Sequence, residues 1–150
     1  MPSNIALNAH SNSALSQTAI LGFDPGRDKC GLAVMGCDRQ LHYHKIVNSN
    51  EAIATIQALY QQFSIALLVM GDQTTAKYWK QQISQQLPQS LSIVMIDERY
   101  STLAARDRYW QMYPPKGFTQ LIPKGMRQPP RPVDDIVAIL LIERYLDSQE

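Results

Sequence analysis

Three observations predict an α/β fold built on a mixed five-stranded sheet, with an antiparallel meander of three strands, two further parallel strands and helices on both faces. Three short apolar or alternating runs, Thr18–Asp24, 30–36 and 41–47, are separated only by turn residues, as in a meander. After them, helical periodicities alternate with the apolar runs 65–70 and 91–96. Parallel strands need right-handed crossovers, and the intervening helices provide them.

The first strand closes on Asp24, the first Asp, Glu, Lys or Arg in the chain, and Pro25-Gly26 makes a tight reversal into the second strand. Gly31 leaves room there for a backbone or ligand to approach closely. Asn48 to Asn50 can cap a helix whose Ala52, Ile53, Ile56, Leu59 and Tyr60 share one face. Residues 65–70 read as a buried strand. Thr74 or Thr75 opens a second helix through Leu87, with Gln-rich positions outward and Pro88 just beyond its end. The next buried strand is 91–96. Ser101 caps a third helix to about Tyr113, and Pro132 to Asp135 open a last helix whose body, 136–142, is apolar almost all round. Residues 1–17 are rich in Ser and Asn without Asp, Glu, Lys or Arg, and read as a disordered N-terminal extension to a domain spanning 18–150.

A chain of 150 residues fits one domain that buries roughly two-thirds of its unfolded surface. Lys and Arg number 14 against 13 Asp and Glu, a formal net charge of +1, so the distribution of charge rather than its total must point to a partner. Cys30 and Cys37 lie in or near one strand and fall on opposite faces if it runs unbroken, which supports neither a shared metal nor a disulfide framework, and suits reduced thiols in the cytosol. The longest apolar runs, 65–70 and 136–142, are too short to span a bilayer. A soluble, cytoplasmic protein without a membrane partner is expected.

Chemistry concentrates at strand ends. Asp24 closes one buried strand, and a carboxylate there must be paired, neutralised or bound to a metal, because desolvating a lone charge is costly. The strand ending at Ile96 runs into Asp97-Glu98, and period-two alternation sends these acids to opposite faces, so only one joins Asp24. Asp134 and Asp135 begin the last helix, where acids favour the helix dipole. Asp134 nevertheless shares its face with Val137, Ala138 and Leu141, which turns it towards the sheet. Such hard oxygen ligands suit Mg2+ or Mn2+, and a two-ion site would promote in-line phosphoryl displacement. Asp72, after the apolar run 65–70, is a further candidate ligand, although a turn or helix-capping role fits its local pattern better.

Residues 20–34, the segment Val-Met-Ile-Asp-Glu-Arg-Tyr-Ser-Thr at 94–102, and residues 133–146 beginning Val-Asp-Asp-Ile resemble the three signature blocks of the YqgF/RuvX family. They occur in the right order within residues 18–147. The resemblance implies an RNase H-like nuclease domain over 18–150, acting in Holliday-junction resolution or in maturation of precursor ribosomal RNA. By position, the family's Asp-x-Gly acid falls on Asp24, its Asp-Glu-Arg glutamate on Glu98 and its Val-Asp aspartate on Asp134, with Asp135 and Asp72 as further candidate ligands. One departure stands out: Gly71-Asp72-Gln73-Thr74 replaces the family's usual Gly-Leu-Pro turn and leaves the substrate open.

The expected partner is nucleic acid, either RNA or branched DNA. No acid lies between Asp107 and Asp134, while Arg108, Lys116, Lys124, Arg127 and Arg131 accumulate there in a Pro-rich loop. Lys116, Lys124, Arg127 and Arg131 are candidate backbone contacts, with Arg27, Lys29 and Arg99 beside the acids. Tyr109, Trp110, Tyr113 and Phe118 can stack on unpaired bases, although such residues are more often core. His42 and His44 share one strand face without a third ligand nearby and read as surface histidines. The competing class is a non-catalytic nucleic-acid-binding module on the same fold. A kinase or ATPase of the actin and sugar-kinase type shares the Asp-x-Gly hairpin but closes two such domains around its nucleotide.

Overall fold

The computed structural model describes residues 18–72, 75–99 and 101–150, so the expectations for residues 1–17 and for Thr74 lie outside the described residues. Five strands form one sheet in the order β3-β2-β1-β4-β5. Strand β1 (Thr18–Asp24) lies at its centre, antiparallel to β2 (Lys29–Gly36) and parallel to β4 (Ser64–Gly71). Strand β3 (Leu41–Asn48) pairs antiparallel with β2, and β5 (Ser92–Ile96) pairs parallel with β4. This is the predicted mixed sheet. Among the described residues the α-helices are α1 (Ala52–Gln62), α2 (Ala76–Gln86), α3 (Ser101–Met112) and α4 (Asp134–Ser148).

Alternation along β1 sorts the side chains into two cores. Ala19, Leu21 and Phe23 join Leu32 and Val34 of β2, Ile56 and Leu59 of α1, and Trp79 and Ile83 of α2. Trp79 packs edge-on against Phe23 at 5.2 Å between ring centroids. On the opposite face, Ile20, Ala33, Met35 and Val69 meet Ala105 and Tyr109 of α3 and the run Ile136 to Ile142 of α4. Each fully buried Ile or Leu in that run contributes about 1.5–3 kcal/mol.

Two strand glycines set the depth of α4. A Cβ on Gly22 would collide with the Ala138 carbonyl, and one on Gly31 with the backbone at Asp134. The missing side chains let the helix backbone rest directly on β1 and β2. The approach anticipated at Gly31 is therefore made by a backbone, and it brings Asp134 down beside Asp24, whose ladder partner is Gly31.

Several local expectations are corrected. Strand β5 is only partly buried, because it forms the sheet's edge. No side-chain cap is made at Asn48: a short 3-10 turn, Ser49–Glu51, precedes α1, and Ser49 instead ties the turn to the β1–β2 reversal through its N–H to the Asp28 carbonyl and its Oγ to the Gly26 carbonyl. Thr75 stands at the start of α2 without a side-chain cap bond. The Pro-rich segment contains two 3-10 turns, Gly117–Leu121 and Lys124–Met126. Among the described residues no helix is long and apolar enough to cross a membrane.

Candidate active site

Asp24 has the same parity along β1 as Ile20 and Gly22, which directs it to the α4 face of the sheet. Glu98 extends the parity of Val94 and Ile96 to that face, and the first turn of α4 brings in Asp134. All three carboxylates line one cavity of about 430 Å³, together with Pro25, Gly26, Ser101, Thr102 and Val137. The Glu98 carboxylate lies over Gly71 at the end of β4, where any side chain would collide with it. Asp24 is buried, at 7% exposure, and Asp134 is half-buried.

Burial raises the Asp134 carboxyl above the usual carboxylate range, and the neighbouring Asp135 charge pushes it further. A hydrogen bond from its own backbone N–H, a hydrogen bond with the Asp24 side chain and the charge of Lys29 pull in the other direction without cancelling the rise. Two carboxyl groups in hydrogen-bonding contact must share a proton or a cation. This contact, with a third carboxylate on the same cavity, fits a hard divalent cation. Among the described residues no three acidic, histidine or cysteine side chains already close into a metal cluster. Glu98 on its glycine seat and the Asp24–Asp134 pair instead form two parts of a donor set facing shared space.

Asp135 faces away from this set. It is 3% exposed and accepts hydrogen bonds from Arg131 at 3.0 and 3.3 Å, while His44 Nδ1 lies 2.7 Å from its Oδ2. Burial works to raise its pKa, but the Arg131 and His44 contacts outweigh that and hold it below the usual carboxylate range. His44 is thus tied to Asp135 and half-buried rather than a surface histidine, while His42 stacks on Phe63. Asp97 is bound by the backbone and side chain of Arg99, which hold its carboxyl low. Asp72 is exposed, donates its N–H to the Ile96 carbonyl and does not line the carboxylate cavity.

The seven candidate basic contacts divide by what they already hold. Arg127 donates to the Ile122 and Gln120 carbonyls and braces the 3-10 turns. Arg131 serves Asp135 and the Pro132 carbonyl and lies over the rings of Tyr109 and Tyr113. Arg99 pairs with Asp97. Exposed Arg27 and Lys29 flank Asp24, and exposed Lys116 and Lys124 rise from the Pro-rich segment. Arg108, counted with the basic loop, forms a two-pronged pair with Glu143 at 2.7 and 3.0 Å. Tyr109 is core, at 9% exposure, whereas Phe118 is 88% exposed.

One residue escaped the sequence reading, and another has a different role from the one expected. Arg144 of α4 donates to the Asp97 and Arg99 carbonyls at 2.7 and 2.9 Å, which pins the segment carrying Glu98. An arginine in the polar tail of an apolar helix was the available signal. Ser101, expected as a cap, is the first residue of α3, and its buried Oγ has no hydrogen-bond partner among the described residues.

A family model described as RuvX, Holliday junction resolvase, matches residues 18–148. Among solved structures, Thermus thermophilus RuvC is similar at 12% identity and a TM-score of 0.53, over 87% of this chain and 95% of that one. T. thermophilus RuvC in complex with a Holliday junction substrate is similar at 14% identity and a TM-score of 0.50, over 88% and 95%. At these identities the likeness is one of fold. No curated protein matches the chain in sequence.

Proposed function

The chain belongs to the RuvX family of Holliday junction resolvases, and from that premise we propose that it is a cytoplasmic, metal-dependent nuclease hydrolysing phosphodiester bonds in branched or precursor nucleic acid. The convergence of Asp24, Glu98 and Asp134 on one cavity carries this reading. Asp24 and Asp134 would help hold Mg2+ or Mn2+, and Glu98 would complete the set from its seat over Gly71. When bound, such ions polarise phosphoryl oxygens and lower the pKa of coordinated water.

The remaining chemistry belongs to the chain itself. Lys29, whose charge is felt at Asp134, and Arg27 on the same reversal offset the negative charge of an approaching backbone. The exposed Thr102 hydroxyl lies on the cavity wall as a donor to a phosphate oxygen. Arg144 keeps Glu98 in place by anchoring the carbonyls on either side of it. No side-chain nucleophile is required.

A cleavage panel tests this: four-way-junction DNA, duplex DNA and structured precursor ribosomal RNA, each with Mg2+ or Mn2+. The parent protein should cut at least one substrate, and Asp24→Asn, Glu98→Gln and Asp134→Asn should each lower the rate by at least about 100-fold, beyond the usual cost of disturbing an outer metal shell. Cleavage that persists in all three variants, or is absent in the parent, would favour a non-catalytic binding module.

A further inference from the structure

Two further cavities continue from the carboxylate site. The first, of about 260 Å³, shares Thr102 and Asp134 with it and is walled by Arg106, Gln128 and Arg131. The second, of about 330 Å³, shares Arg106 and Gln128 with the first and runs on past Leu103, Trp110, Lys124 and Met126. Together they make a trough between α3 and the Pro-rich segment, with the carboxylates at its inner end. Thr102 to Trp110 spans eight residues of helix, about 12 Å at 1.5 Å per residue. At ~3.4 Å per stacked nucleotide, that accommodates about three nucleotides.

The lining tells what kind of strand fits. Arg106 is exposed, lines both cavities and makes no ion pair or hydrogen bond to any described residue. Lys124 faces the outer cavity without a partner among the described residues. Beside these cations stand exposed apolar side chains, Leu103 at 60% and Met126 at 73%. A paired duplex offers a groove mainly its phosphates, and exposed apolar side chains gain nothing from those. Unpaired bases also offer their flat apolar faces, so cations alternating with apolar side chains match a single strand. Asp107, also on the outer wall, is the acid such a strand must pass.

Resting on the nuclease reading above, we propose that this trough holds an unpaired nucleic-acid strand on one side of the scissile phosphate. Arg106 meets its backbone, and Leu103 and Met126 meet its bases. The trough discriminates by strandedness rather than by sequence.

Fluorescence anisotropy without divalent metal tests this on single strands of about 12 nucleotides, in the range such grooves cover, made as DNA and as RNA, beside a blunt duplex. Arg106→Glu should weaken single-strand binding about tenfold, and the double variant Leu103→Ser, Met126→Ser by about five- to tenfold, as expected for loss of base contacts. All three side chains are exposed, so the fold is retained. The double variant should leave duplex binding within about twofold, since it removes no charge. The DNA and RNA arms show which sugar is preferred, and selective loss on either supports the trough.

Unchanged single-strand binding, equal losses on strand and duplex, or no single-strand binding by the parent would overturn the trough. A protein segment seated there instead would give the first of these results. The two readings fail separately. A parent that cleaves normally while its single-strand affinity ignores these substitutions leaves only the nuclease standing. A parent that binds strands through the trough yet cuts nothing leaves only the trough.

Discussion

Asp134 and Asp135 are neighbours in the first turn of α4, yet they face opposite kinds of surroundings. Asp134 looks into a cavity shared with two other carboxylates, and its pKa is raised by burial. Asp135 is more deeply buried but closed off between Arg131 and His44, and its pKa is lowered. One carboxylate is left short of compensating charge, whereas the other is supplied with it. The difference fits the binding role proposed for Asp134, while Asp135, held by Arg131 and His44, anchors the helix turn beside it.

The sharpest way to break this comparison is to neutralise each acid in turn. Asp134→Asn should lower cleavage by at least about 100-fold. It should also raise the melting temperature of the metal-free protein, because it removes a charge that burial disfavours. Asp135→Asn should do the reverse: it weakens charge-assisted bonds to Arg131 and His44 at a cost of about 2 kcal/mol, which is about 4–8 °C in melting temperature for a domain of this size. Differential scanning calorimetry in chelator, run beside the cleavage panel, reads both. Two destabilised variants, or two inactive and otherwise unchanged ones, would erase the distinction.

A smaller effect sharpens the comparison through pH. A carboxyl raised in the fold stabilises the protein fully only below its unfolded pKa, and that contribution is lost as pH rises through the folded value. Asp134 therefore makes the metal-free protein lose stability as pH climbs from about 4 towards the raised value. Asp135 has the opposite sign: its contribution is present above about pH 4 and disappears as pH falls through its lowered value. Melting curves in chelator from pH 3 to 8 should show the advantage of Asp134→Asn over the parent growing with pH before levelling off. A constant gap would mean that Asp134 titrates as an ordinary surface acid.

What could be read in the sequence follows the range of the interactions involved. Strand alternation is a local, two-residue rule, so the sheet and the separation of Asp97 from Glu98 were legible at 20–24 and 93–98. The alignment of motif blocks named Asp24, Glu98 and Asp134, and the structure places these three on one cavity. Asp135 with His44 was not legible, because its partners come from a strand 91 residues earlier as well as from one helical turn away. The basic loop misled for a related reason. Net charge along a segment does not show which cations are already spent, and Arg108, Arg127 and Arg131 all hold the fold together. Arg106, outside that cluster and next to Asp107 in sequence, is left open on the trough together with Lys124. The cap expected at Asn48 gives way to a 3-10 turn that Ser49 ties to the β1–β2 reversal through the Gly26 carbonyl, and Ser101 lies inside the first turn of α3 instead of before it.

The smallest predicted effect tests the parity rule on which the site depends. Asp97 and Glu98 are adjacent acids at one strand end, so a register shift of a single residue would exchange their roles. Asp97 is 60% exposed on its side chain and paired with an Arg99 that is 80% exposed, an arrangement solvent can largely replace. Asp97→Asn keeps an oxygen to accept the Arg99 N–H, so the turn that carries Glu98 survives. Manganese affinity measured by calorimetry should therefore stay within about twofold of the parent, because a surface ion pair contributes little. Glu98→Gln removes a charge from the cavity itself and should weaken the same affinity by about 10-fold or more, as disturbed metal shells do. The separation between the two variants is the informative quantity. Equal losses would place both acids at the metal, which a straight β5 cannot do, and would require an irregular strand end at Ile96.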